Sequence, residues 1–250
     1  MKKNLLVFGA GNLGEKVGCL WKERYPEASV FAITHSKSKH SALMDKGLIP
    51  LLGSDELPKA SHIIFSIPPK DDYIDLIKRA LECWDRVGNF LFISSSSIYL
   101  ENNSGIVNEE SPIDHEHRLA GPENLVVNNS GIILRLSGLY DQMRGPHIYL
   151  KNKMKLNSSR DSFLNLIHTL DAAKLAVNVL VNGQRGFRYL GCDSNPITKD
   201  EFSKIVLGEE SKNVVFANES STGKRCDNSW TRDVLSWQPM WPSFKTWFQS

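Results

Sequence analysis

The segment that most restricts what this chain can become is Gly9-Ala10-Gly11-Asn12-Leu13-Gly14. It follows an apolar run, Asn4 to Phe8, and opens a stretch to about Tyr25 in which Leu13, Val17, Leu20 and Trp21 share one helical face. A Gly-x-Gly-x-x-Gly is a weak signal alone and a strong one between a first strand and a helix. The first glycine permits a tight turn, and the second lets backbone approach a pyrophosphate. The third lets the helix pack close, while amides freed at the helix start, around Asn12 and Leu13, hold the anion. Such a turn serves flavin as well as nicotinamide dinucleotides and does not separate them.

The pattern that follows repeats the strand–helix alternation. Apolar runs at Ser29–Thr34, Leu48–Leu52, His62–Ile67, Phe90–Ser94 and Ile132–Leu136 predict strands. Asp71 and Asp72 open a helix to about Trp84, with Tyr73, Ile77, Ala80, Leu81 and Trp84 facing inward, and a short helix closes at Leu125–Asn128. Such alternation requires crossover connections and hence a parallel sheet. The expected fold class is α/β: a Rossmann-type doubly wound parallel sheet over residues 1–136, carrying the dinucleotide, and a smaller C-terminal substrate-binding lobe over 137–250. One strand near 187–190 is expected to rejoin the sheet. Ser137–Ser162 is expected to be loop-rich, and Thr169–Val181 to be a helix stopped by Gly183. Thr198 and Glu201 form a capping box, and four tryptophans between Trp230 and Phe248 pack over the lobe.

Composition removes other classes. Hydrophobic residues at 41% and charged residues at 23% exclude a disordered chain. Thirty Lys and Arg against 28 Asp and Glu leave a net charge of +2, which argues against a nucleic-acid partner. No apolar run reaches membrane-spanning length, so no membrane partner is expected. The apolar stretch after Met1-Lys2-Lys3-Asn4 is too short for a signal peptide and runs into glycines rather than a cleavage site. Cys19, Cys83, Cys192 and Cys226 are scattered without metal spacing, as expected of reduced thiols in a cytoplasmic protein, and no metal site is predicted.

An NAD site places an acidic residue about 20 positions past the last glycine, on the ribose hydroxyls. Twenty residues beyond Gly14 is Thr34, and Thr34-His35-Ser36-Lys37-Ser38-Lys39-His40 holds no carboxylate. Thr34, Ser36, Lys37 and Lys39 offer hydroxyls and cations to a 2′-phosphate, so NADP is expected over NAD. A solvated basic turn is the alternative. Ser66 and Pro68, in Ser66-Ile67-Pro68-Pro69 after the fourth strand, are expected beside the cofactor.

Together with the glycine turn, Ser94-Ser95-Ser96-Ser97-Ile98-Tyr99 resembles the extended short-chain dehydrogenase/reductases, the nucleotide-sugar epimerases and dehydratases. Glu110-Ser111-Pro112, Leu134-Arg135-Leu136-Ser137-Gly138-Leu139-Tyr140 and Asn165-Leu166-Ile167-His168-Thr169-Leu170-Asp171 continue the resemblance in order, as do Leu235-Ser236-Trp237-Gln238-Pro239 and Trp241-Pro242-Ser243. The resemblance implies that Ser95, or its neighbour Ser96, supplies a hydroxyl to the reacting oxygen. It also implies that Gly138 lies near the nicotinamide amide. A serine run ending a strand also satisfies its own backbone in many loops.

The family's Tyr-x-x-x-Lys pair is expected between Pro112 and Leu125, and that stretch contains neither residue. The chain resembles the atypical members, which keep the cofactor fold and alter the pair. The family's lysine lowers a tyrosine pKa from about 10. A histidine titrates near ~6.5 without such help, which makes His115 and His117 candidate acid/base groups, with exposed loop residues as the alternative. His168 and Asp171 are expected to be structural.

The expected function is that of an NADP-dependent oxidoreductase or epimerase-like enzyme acting on a small polar, sugar-like or nucleotide-sugar-like substrate. The alternative is a catalytically inactive NADP(H)-binding sensor or scaffold. Family members often pair, so a homodimer is one expected state.

Overall fold

The computed structural model describes residues 3–217 and 222–250; Met1 and Lys2, at the start weighed above as a leader, lie outside the described residues. Seven strands form the main parallel sheet: β1 (Leu5–Phe8), β2 (Val30–Thr34), β3 (Ile49–Leu52), β4 (His62–Phe65), β5 (Phe90–Ser95), β6 (Ile132–Leu136) and β7 (Arg188–Gly191). Their order is β3-β2-β1-β4-β5-β6-β7. The order therefore reverses between β1 and β4, the switch point at which doubly wound sheets open a crevice beyond their carboxyl ends. β1 pairs in parallel with β2 on one side and β4 on the other, from Leu5 to Phe8 in both registers.

The chain divides into two compact units that interleave along the sequence. The first comprises residues 1–94, 115–135 and 173–189, the second residues 95–114, 136–172 and 190–250. In the first unit, β1 and β4 are buried along their whole length, as strands covered on both faces must be. Phe8, Phe65 and Phe92 stack across β1, β4 and β5 at 5.9 and 5.8 Å between ring centroids. The helices of this unit are α1 (Asn12–Arg24), the short α2 (His40–Met44), α3 (Tyr73–Glu82), α4 (Ala120–Asn128) and most of α6 (Thr169–Asn182). Helix α1 buries Leu13, Val17 and Trp21, whereas Leu20, expected on the same face, is only half-buried.

The second unit is built differently. Its ladders are two-stranded and join distant segments: Gly138–Tyr140 with Leu166–His168, and Asn103–Val107 with Gly223–Cys226, both parallel. The stretch read as loop-rich contains α5 (Pro146–Lys153), which starts after Gly145 at φ +135° and ends at Met154 in the left-handed region. Helix α7 (Lys199–Leu207) carries the expected capping box from Thr198 and Glu201. The tail forms α8 (Ser229–Val234) and α9 (Phe244–Phe248), and Phe244, Phe202, Tyr140 and Leu150 share one core. Asp171 accepts hydrogen bonds from the Met240 and Trp241 amides at 2.9 and 3.0 Å, which pins the tail. Among the described residues, no helix is long and apolar enough to cross a membrane.

Candidate cofactor site

The site begins at the corner between β1 and α1. Gly9 has φ +92°, and a Cβ there would lie 2.9 Å from the Ile67 backbone nitrogen, so only glycine turns the chain here. At Gly14 a Cβ would meet the Gly9 carbonyl oxygen at 2.2 Å; helix and turn touch backbone to backbone. Gly11 is the opposite case, for a Cβ there would meet nothing within 4 Å. It is exposed and stands at the N-cap of α1 with no side chain capping the helix. Uncapped first-turn amides beside open space are what an anion requires. Asn12 is half-buried and takes a hydrogen bond from Lys16, while Leu13 is buried beneath the turn.

Ser66, just past β4, donates to the Phe8 and Gly9 carbonyls at 3.2 and 2.9 Å and so fixes the turn from the neighbouring strand. A cavity of about 450 Å³ runs from this turn past the ends of β2 and β3 to α3. It brings together Gly9, Gly11, Thr34, Ser66 and Pro68 among the residues singled out from sequence. It also takes in His35, Gly53, Lys70, Leu76 and Arg79, which sequence reasoning did not single out. Leu76 and Arg79 stand one helical turn apart on α3, and that spacing was the available signal.

The basic turn after β2 is arranged otherwise. The Thr34 hydroxyl lies 2.8 Å from His40 Nε2 and donates to the Leu51 carbonyl at 3.3 Å. Ser36 and Ser38 pair their hydroxyls at 3.0 Å, and Lys37 and Lys39 occupy an exposed turn of 3-10 helix; Ser36, Lys37 and Lys39 do not line the cavity.

The candidate catalytic residues belong to different environments. Ser95 caps the 3-10 turn Ser96–Ile98, its oxygen accepting from the Ser97 amide at 3.2 Å and the Ser97 hydroxyl at 2.9 Å. Ser137 donates to Ser96 at 3.5 Å, and the Cys226 thiol hydrogen-bonds both serines while burial pushes its pKa up. His115 is exposed. His117 accepts the Leu119 amide on Nδ1 at 3.2 Å, at the entry to α4. Gly138 lies in the second unit, its amide donating to the Asn165 carbonyl at 3.0 Å. Among the described residues, no three His, Cys, Asp or Glu side chains gather as metal ligands would.

Glu123 is a buried carboxylate of the first unit. It is fully buried, accepts from Arg135 through two guanidinium nitrogens at 3.0 and 2.7 Å, and takes the Ser94 hydroxyl at 2.6 Å. This bidentate pair ties α4 to β5 and β6.

No family model and no curated protein matches the sequence. Solved structures do match in shape. A functionally unknown conserved protein from Silicibacter pomeroyi aligns with TM-score 0.79 at 17% identity, over 99% of this chain and 97% of its own. The dTDP-glucose 4,6-dehydratase of Bacillus anthracis, solved with NAD, aligns with TM-score 0.78 at 15% identity, over 98% and 94%. UDP-glucose 4-epimerase of Thermotoga maritima, solved with UDP-glucose, gives 0.74 at 12%, over 98% and 96%. With its 3-2-1-4-5-6-7 sheet and glycine turn at the switch point, the chain has the Rossmann-type fold that these solved dehydratase and epimerase structures share.

Proposed function

We propose that the protein binds NADP(H) and is an atypical short-chain dehydrogenase/reductase, an oxidoreductase or epimerase-like enzyme for a small polar, sugar-like or nucleotide-sugar-like molecule. The observation that carries this reading is the open approach to Gly11 above uncapped helix amides, at the switch point of the sheet. The carboxylate-free turn Thr34–His40 supports NADP over NAD, and the NAD and UDP-glucose in the complexes above support the cofactor and substrate classes. In this reading the first 136 residues hold the dinucleotide and residues 137–250 receive the substrate. Ser95 or Ser96 supplies a hydroxyl, and His115 or His117 moves the proton. A cytoplasmic setting and a homodimer complete the proposal.

Titration with NADPH and NADH, followed by tryptophan quenching, tests it, with tighter binding of NADPH expected. Gly11→Val should weaken both nucleotides by about tenfold or more, because its Cβ enters the open space the diphosphate needs, while lowering stability only by the roughly 1 kcal/mol that a poorer N-cap costs. Unaltered binding in that variant would remove the site.

The Ser95 oxygen is engaged by Ser97, and this favours a second reading, a sensor or scaffold without turnover. The enzyme reading expects Ser95→Ala, Ser96→Ala, His115→Ala or His117→Ala to lower turnover by about 10²-fold or more without changing cofactor affinity. Full activity in all four variants would reject these assignments.

A further inference from the structure

We propose that Arg79 is the residue that recognises the 2′-phosphate of the cofactor's adenosine end. The inference rests on the dinucleotide reading above and adds to it a determinant on α3, away from the lysines after β2. Arg79 is half-buried and lines the cavity together with Leu76. Its guanidinium donates to the Gly53 carbonyl and, at 2.8 Å, to the Asp55 carbonyl. Both partners are neutral. Asp55 turns its carboxylate elsewhere, accepting the Leu52 amide at 2.7 Å.

Arg79 therefore has no ion-pair partner among the described residues, and none of the residues lining the cavity is Asp or Glu. Lys70, the other strong cation of the lining, differs in that it pairs with Asp72 at 3.1 Å. A half-buried charge answered only by carbonyl dipoles is costly to hold, and an incoming anion relieves that cost. A guanidinium carries five N–H donors, of which the two carbonyls occupy two, and the rest form a fork that fits phosphate oxygens.

Position agrees with chemistry. The Gly53 amide donates to the Thr34 carbonyl at 3.1 Å, so Arg79, resting on Gly53, reaches the loop beside the end of β2. The ribose of a bound dinucleotide lies at the end of that strand. Lys37 and Lys39 lie on the exposed 3-10 turn outside the cavity lining.

Calorimetric titration with ADP-ribose and 2′-phospho-ADP-ribose tests the assignment without needing a substrate or turnover. The intact protein should prefer the 2′-phosphorylated ligand by about tenfold or more. Arg79→Gln, which keeps an amide donor but no charge, should bring the two affinities within about threefold by weakening only the phosphorylated ligand. Arg79→Lys should keep part of the preference. Lys70→Ala and the double variant Lys37→Ala/Lys39→Ala are exposed changes that leave the fold in place, and both should keep the preference. A preference lost in either of these, retained in Arg79→Gln, or absent from the intact protein overturns the assignment. Equal weakening of both ligands in Arg79→Gln would also overturn it, by making Arg79 a brace for the Gly53–Asp55 loop. Failure of ADP-ribose itself to bind would instead reject the dinucleotide reading.

Discussion

The two units differ in how completely they answer the polar groups they bury. In the first, the buried carboxylate of Glu123 meets a bidentate guanidinium and a serine hydroxyl, and the Trp84 indole donates to the Ser61 and Gly88 carbonyls at 3.1 Å each. In the second, Tyr140 Oη, His147 Nδ1 and Asp193 Oδ2 are buried without a hydrogen-bond partner among the described residues. There aromatic packing carries the structure: the Tyr140 ring lies 5.3 Å from His168, 5.0 Å from Phe244 and 4.9 Å from Trp247 between centroids. Polar matching fixes a single geometry at low cost, whereas ring packing supplies enough burial to hold a polar atom that nothing answers. The buried carboxylate of the first unit is thus answered in full, whereas the second unit leaves these three buried atoms unanswered.

The largest test of this contrast is Arg135→Ala. It leaves the buried Glu123 carboxylate without its bidentate partner, with the Arg188 guanidinium at 3.9 Å beside it, and should destabilise the protein by about 3–5 kcal/mol in urea unfolding. Exchanging both partners for apolar residues, Arg135→Met with Glu123→Leu, should cost much less. A loss below about 1 kcal/mol in the single variant would mean that the pair is not the anchor of this unit.

Titration sharpens the comparison because one buried group in each unit, His62 and Asp193, responds to pH with the opposite sign. In the first unit, burial against Trp21 lowers the His62 pKa to about 4, with Lys3 adding to the effect. Between about 4 and 6.5 the unfolded chain binds the proton more readily, so this group makes stability rise with pH, by about 3 kcal/mol across the window. In the second unit, burial raises the Asp193 pKa from 3.8 to about 7. Between those values the folded chain holds the proton more tightly, so stability falls as pH rises through the window. His62→Gln should flatten the acid side of a plot of Tm against pH. Asp193→Asn should be more stabilising at pH 8 than at pH 5, by about 2–3 kcal/mol. The same gain at both pH values would show that the Asp193 carboxyl is not the titrating group.

The smallest expected effect concerns local structure alone. Thr198→Ala removes the cap of α7 and should cost about 1 kcal/mol at every pH, measurable by thermal unfolding. A pH-dependent loss there would tie α7 to the titration of Asp193.

Much of the first unit was legible because its signals are local. The glycine turn, the apolar strand runs and the Asp71–Trp84 helix each declare themselves within about fifteen residues. The capping box at Thr198 and Glu201 is legible for the same reason. What was not legible depends on segments far apart in the chain. Asn103–Val107 finds its partner at Gly223–Cys226, and strands of two to five residues have too short a period to reveal their pairing. Helix α5 escaped because its residues show no apolar face; only His147 and Leu150 are buried. Arg79 escaped because the inward face of α3 was read from apolar residues, whereas the cavity takes a cation from the same helix. Arg135 stands in the Leu134–Tyr140 segment singled out from sequence, but its pairing with Glu123 needs the helix and strand to be placed first.

The position of β7 at one end of the sheet carries a consequence for synthesis. Residues 188–191 reach the ribosome exit about fifty positions after β6, so the Ile132–Leu136 edge must wait for its neighbour. At ordinary translation rates this leaves that edge of the strand bare for roughly 3–10 s.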